Sequence, residues 1–153
     1  MTRTLAFTVA GIPAPQGSKR YLGKGILVES SNAVKPWREA VKYAALNAID
    51  RDPLQSCPFD GPLLVTAVFW LPRPKSAPKK RWAPDRKPDV DKLLRGCLDA
   101  ATDAGVWGDD AQVVRINASK SYMGGWFDPT ILEYGLREPT HPGASIVVSE
   151  VVP

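Results

Sequence analysis

The chain has 153 residues and a mass of 16.7 kDa, enough for one domain of ordinary size and too little for two. Hydrophobic residues at 44% and charged residues at 24% exclude wholesale disorder, and no apolar run nears the roughly 20 residues of a membrane-spanning helix. A net charge of +4 and a pI near 9.2 make a mild basic bias whose distribution says more than its size.

A domain of this length buries roughly 68–70% of its unfolded surface and needs neither disulfides nor a structural metal to fold. Two cysteines, Cys57 and Cys97, and a single histidine make neither a disulfide framework nor a zinc site. The N-terminus lacks the apolar stretch of a secretion signal. These features predict a reduced, cytoplasmic protein with residues 1–153 as one domain.

In chain order, residues 3–10 alternate as a half-buried strand with Leu5, Phe7 and Val9 on one face. Gly11, Pro13 and Pro15 end it, and a basic loop carrying Lys19 and Arg20 follows. Residues 26–28 suggest a short strand. Apolar residues at Trp37, Val41, Ala44, Ala45 and Ala48 predict a helix over about 36–50, begun at Pro36 and stopped by Asp52-Pro53. Residues 63–71 read as a buried strand. Residues 72–88 then change composition abruptly, with five prolines and seven Lys/Arg, and predict a mobile basic surface loop. A second helix is expected over about 91–103 with Leu93, Leu94, Cys97, Leu98 and Ala101 as its apolar stripe and Gly105 as its stop. Strands are expected from Gln112 to about Tyr122, over 131–136 and over 145–152. The fold class is therefore small mixed α/β (α+β), a central sheet with two main helices packed on it.

The chemistry concentrates in Lys87-Pro88-Asp89-Val90-Asp91 and in Gly108-Asp109-Asp110. On an extended approach to the second helix, Asp89 and Asp91 would point to one side, since residues two apart share a face only in extended chain. Carboxylates crowded together repel unless a cation lies between them. Helix and turn are expected to return Asp109 and Asp110 beside the first pair, giving an all-oxygen, magnesium-type site. The plainer readings are Asp91 as a helix cap and Asp109-Asp110 as turn residues. Arg95, one turn beyond Asp91, either pairs with Asp91 and Asp99 or reaches a phosphate oxygen.

The run KPDVDKLLRGCLDAATDAGVWGDDAQV resembles the signature of the RusA-type Holliday junction resolvases, endodeoxyribonucleases of bacteria and phages. The likeness is close over 87–114, with the Gly-x-Trp-x-Asp-Asp turn in register, looser over the N-terminal strand and first helix, and poor beyond about 122. It implies that Asp89, Asp91 and Asp110 hold magnesium, with manganese as a substitute, and that Asp109 contributes beside them. It further implies Arg95 in the place of a catalytic lysine and a basic role for Lys120. Lys92 departs from the family's usual Asn, and Arg95 from its Lys. The implied activity is paired hydrolysis of a four-way DNA junction by a homodimer in recombination and repair. Lys19, Arg20, Lys79, Lys80, Arg81, Arg86 and Lys87 would then hold the DNA backbone. Trp82 is read either as a base-stacking wedge or as a loop anchor. Trp37, Trp70 and Trp107 read as core or dimer interface, Cys97 as core, and His141 as an ordinary surface residue. The rival readings are a non-catalytic DNA-binding protein and a nuclease of broader branched-DNA specificity.

Overall fold

The computed structural model describes residues 2–17, 19–21, 23, 27–29 and 32–153, with only the backbone of 19–21 and 27–29. Its elements are β1 (Thr4–Ala10), β2 (Lys19–Tyr21), β3 (Leu27–Glu29), α1 (Val34–Arg51), β4 (Leu63–Leu71), α2 (Val90–Ala104), β5 (Val113–Tyr122) and β6 (Gly143–Glu150). Short 3-10 turns occupy Asp110–Gln112 and Pro129–Tyr134.

The main sheet has four strands in the order β1-β6-β4-β5, and β2 pairs with β3 in a separate ribbon. β4 and β5 are parallel and joined through α2, as a parallel pair requires a crossover. The β1–β6 and β6–β4 pairs are antiparallel. This is the expected α+β class.

Helices α1 and α2 pack on one face of the sheet and on each other. Leu5, Phe7, Val9, Trp37, Val41, Val65, Phe69, Leu93, Cys97 and Trp107 share that core. A smaller cluster of Val68, Trp70 and Ile131, with Met123, Phe127 and Leu136 against it, covers the opposite face of β4. The apolar run of β4, broken only by the buried Thr66, follows, because a central strand covered on both sides has no polar face to show. Trp70 donates its indole N–H to Ser145 Oγ at 3.0 Å and meets the Phe127 ring edge-on at 5.0 Å. Trp37, Trp70 and Trp107 are all core residues.

Four expectations change, and the first is that the basic loop expected at Lys19 and Arg20 is instead the strand β2, paired with β3. The 131–136 strand is instead the 3-10 turn Pro129–Tyr134, because Asp128 accepts from Thr130 N at 2.9 Å and Pro129 stands in the first turn. Helix α1 begins at Val34, two residues before Pro36, whose missing N–H falls where a helix has no acceptor for it. The last strand runs 143–150 in place of 145–152. It can start at Gly143 because a Cβ there would overlap the Val9 carbonyl of β1. The strand suggested at 26–28 appears as β3, and Ile26 itself lies outside the described residues. None of the helices among the described residues is long and apolar enough to cross a membrane.

Candidate functional site

Asp89 is the N-cap of α2, with an extended ψ of 137°. The helix begins at Val90, so Asp91 already lies in its first turn, and the two carboxylates do not share the face of an extended strand as the sequence suggested. Pro88 explains the abrupt start, since it cannot continue a helix from upstream. Both aspartates are exposed at the positive end of the helix dipole, where anions are favoured. Neither caps α2 by a side-chain hydrogen bond to its first turn. Lys92 Nζ stands 3.6 Å from Asp89 Oδ2.

Arg95 is exposed one turn further along. No ion pair joins it to Asp91 or Asp99 among the described residues. The segment after β1 lies across α2 beside it. Gln16 donates its backbone N–H to Lys92 O at 3.0 Å and its side-chain amide to Asp99. Gly17, at φ +115°, abuts the Arg95 guanidinium so closely that a Cβ would collide with it. Sequence reasoning passed over Gln16 and Gly17, and a glycine followed by Ser18-Lys19-Arg20 was the available signal. Lys19 and Arg20 lie on β2, with side chains outside the described residues.

The Pro-rich segment is a surface loop without helix or strand, and its own side chains bond across it. Arg73 donates to the carbonyls of Pro78 at 2.6 Å and Arg81 at 2.5 Å, and its guanidinium lies 5.2 Å from the Tyr122 ring centre. Turns close at Pro74–Ala77 and Pro78–Arg81. Lys79, Lys80, Arg86 and Lys87 are exposed, while Arg81 is half-buried and pairs with Asp85 at 3.6 Å. Lys120, on β5, donates to Arg86 O at 2.8 Å and Pro88 O at 2.9 Å. Its ammonium thus ties the end of the basic segment, directly before Asp89, to the sheet.

Beyond α2 lies a second acidic group. Asp109 caps the 3-10 turn, with Oδ1 accepting from Ala111 N at 2.8 Å, so the turn-residue reading holds for it. Gln112 completes the arrangement. Its Oε1 accepts from Gly108 N and Asp109 N, and its amide donates to the carbonyls of Phe59 and Gly61. Asp110 shares a cleft with Asp99, Thr102 and Asp103. Desolvation, the charge of Asp109, a hydrogen bond with it and the charge of Asp99 all raise the Asp110 carboxyl above the ordinary range.

The two acidic groups do not meet within one chain. Asp89 lines a different cleft, with Pro15, Lys87 and Lys92. Ten residues separate Asp89 from Asp99, which amounts to about 15 Å along the helix axis. The described residues hold no group of three or more His, Cys, Asp and Glu side chains gathered to bind a metal. The expected return of Asp109-Asp110 beside Asp89-Asp91 is therefore corrected, and the length of α2 is the reason.

The donor chemistry nonetheless fits a hard cation. Both groups offer carboxylate oxygens, and Asp110 shares its cleft with the carboxylates of Asp99, Asp103 and Asp109. The thiols do not compete, because burial pushes Cys57 up to about 11 and Cys97 up to about 12. His141 is exposed in a loop, with Nδ1 beside Pro142 O.

Residues 10–125 match the family described as endodeoxyribonuclease RusA. An uncharacterized protein of Bacillus subtilis (strain 168), YqaN, is 31% identical over 128 residues, covering 77% of this chain and 87% of the relative. With a match over most of its length, the chain belongs to the RusA endodeoxyribonuclease family.

Proposed function

We propose that this protein is a magnesium-dependent endodeoxyribonuclease that cuts branched DNA, the four-way junction above all, as a two-fold homodimer. The observation that carries the reading is the exposed Asp89-Asp91 pair at the start of α2, with Lys87 and Lys92 in the same cleft as Asp89 and the exposed cations Lys79, Lys80 and Arg86 just before it in the chain, in a chain of an endodeoxyribonuclease family.

The separation of the acidic groups supports a site completed between subunits. Among the described residues β5 is an edge strand of the sheet, and it carries exposed Val114 and Ile116. It runs from the Asp110 end of the molecule to the Lys120–Pro88 contact beside Asp89. Antiparallel pairing of two such edges about a two-fold axis sets Asp110 of one copy beside Asp89 and Asp91 of the other.

In this reading Asp89, Asp91 and the partner's Asp110 hold the cation. When bound, a divalent ion supplies Lewis-acid polarisation of the phosphate and a water of lowered pKa. Arg95 presents its guanidinium to the non-bridging oxygens and balances charge developing there. Lys120 holds the Pro88 carbonyl and with it the backbone leading into Asp89. The exposed cations of residues 79–87 engage the sugar–phosphate backbone, a contact without sequence information. Lys19 and Arg20, on β2, are assigned the same role of holding the DNA backbone. Two sites in one symmetric dimer suit a substrate with two equivalent strands to cut.

The test uses Asp91→Asn and Asp110→Asn, each alone and co-refolded in equal amounts, on a synthetic four-way junction with magnesium. Each variant alone is expected to bind without cutting. The mixture is expected to regain nicking, since the heterodimer rebuilds one intact site and half the dimers are mixed, so about a quarter of the wild-type sites return. No recovery would place each site within one chain. Tight binding by wild type with no magnesium-dependent cutting would leave a DNA-binding protein. Equal cutting of junctions and flaps would widen the substrate.

A further inference from the structure

Five tryptophans divide sharply by burial. Trp37, Trp70 and Trp107 are at most 2% exposed, whereas Trp82 is 65% and Trp126 is 55% exposed. An indole left in water forgoes a large burial gain, so one such residue is notable and a touching pair more so. The two rings stand 5.8 Å apart at 88°, the edge of one against the face of the other.

The pair is held in place from both sides. Trp82 lies in the segment that Arg73 pins by its bonds to Pro78 O and Arg81 O. Trp126 follows the turn after β5, and Gly125 packs so close to the Tyr122 and Trp82 carbonyls that a Cβ would lie 3.2 and 3.6 Å from them. The surroundings are cationic. Lys80, Arg81 and Arg86 line the cleft that Trp82 enters, and Asp85 there stands 3.6 Å from both arginines. From the Lys120–Pro88 contact, the basic segment leads back to Trp82 and β5 leads on to Trp126. The pair therefore stands at the same end of the sheet as Asp89.

We propose that Trp82 and Trp126 form a stacking platform for an unpaired nucleobase at the branch of the DNA substrate, with Lys80 and Arg86 holding the adjoining phosphates. Aromatic faces flanked by cations have the chemistry of a single-strand site. Bases inside a duplex are covered above and below by their neighbours, while a branch exposes base faces that a preformed aromatic pair can cover. The platform thus favours branches over linear duplex. This inference rests on the DNA-cleaving reading for its location beside the cut.

The test is equilibrium binding by the full chain, in calcium without magnesium, to a twelve-residue oligothymidylate, a four-way junction and a linear duplex. Trp82→Ala and Trp126→Ala are expected to weaken binding to oligothymidylate and junction about ten-fold, the scale of one lost base stack, and to change duplex binding less than two-fold. Trp126→Phe is expected to retain most of the affinity, and thermal melting confirms that each variant is folded. Unchanged single-strand and junction affinity in both alanine variants would overturn the platform. So would an equal loss on duplex, or a wild type that does not bind oligothymidylate. Cleavage is scored separately. Wild-type cutting with unaffected alanine variants sinks the platform and leaves the nuclease, whereas a tryptophan-dependent single-strand preference without cutting does the reverse.

Discussion

Replacing Lys120 with Met keeps the aliphatic stem and removes the ammonium that bridges Arg86 O and Pro88 O. Hydrogen bonds from a charged donor contribute about 1.5–3 kcal/mol each. Lys120 is only half-buried and Arg86 is exposed, so water replaces part of what is lost. A net destabilisation of about 1–3 kcal/mol follows, which at about 3 °C per kcal/mol for a chain of this size is a melting point lower by about 3–9 °C. The loosening should be local to the end of the basic segment, where the five Lys/Arg not followed by proline offer trypsin its sites. Melting curves and timed tryptic digestion, with Lys120→Arg as the charge-retaining control, read both effects. A side chain that instead grips DNA phosphate would behave differently. Lys120→Met would then melt normally and resist trypsin like wild type, and its DNA affinity would lose about one unit of salt slope. That pattern would refute the anchoring role.

Four further expectations can be checked as directly. Asp110→Asn should lower junction cleavage by at least about 100-fold, with junction affinity in calcium within three-fold of wild type, read by gel and anisotropy. Gly17→Ala should cost about 1–2 kcal/mol through its positive φ, and more through Arg95, so that with Arg95→Ala the two effects sum to less than their separate values in urea denaturation. Ser145→Ala leaves the Trp70 indole N–H without its buried acceptor and should cost about 1–3 kcal/mol in the same assay. Asp52, Asp128 and Glu150 are held below the ordinary carboxylate range, Asp52 foremost by Ser56 N–H, Asp128 by Thr130 N–H and Glu150 by Arg3 N–H. Their folded values lie below the unfolded ones, so the stability they add is complete above the unfolded value and is lost as pH falls through the folded one. Urea midpoints should therefore drop as pH falls below about 4, and less steeply in Asp128→Asn.

Local chemistry made much of this fold legible. Leu5, Phe7 and Val9 alternate because β1 has one buried face, and α2 declares its core stripe at helical spacing and its stop at Gly105, which takes φ +84°. Ile131 and Leu136 misled, since a short apolar stretch has no period to separate strand from 3-10 turn, and the Asp128-Pro129 start decided it. At the site, the acidic residues were visible by type and spacing, yet their grouping was not. Whether Asp110 meets Asp89 depends on the axial length of α2 and on where Gln112 anchors the following turn to Phe59 and Gly61. Nor could the chain order reveal that Lys120 faces the carbonyls before Asp89, a contact 32 residues apart.

Helix α2 also acts as a ruler. Its 15 residues set how far the acids at its start stand from those beyond its end, and 3.6 residues per turn set their relative angle. Inserting or removing one residue would swing the far group by about 100° while shifting it only about 1.5 Å. For the shared site proposed above, the length of this helix would matter as much as the identity of Asp91 and Arg95 on its exposed side.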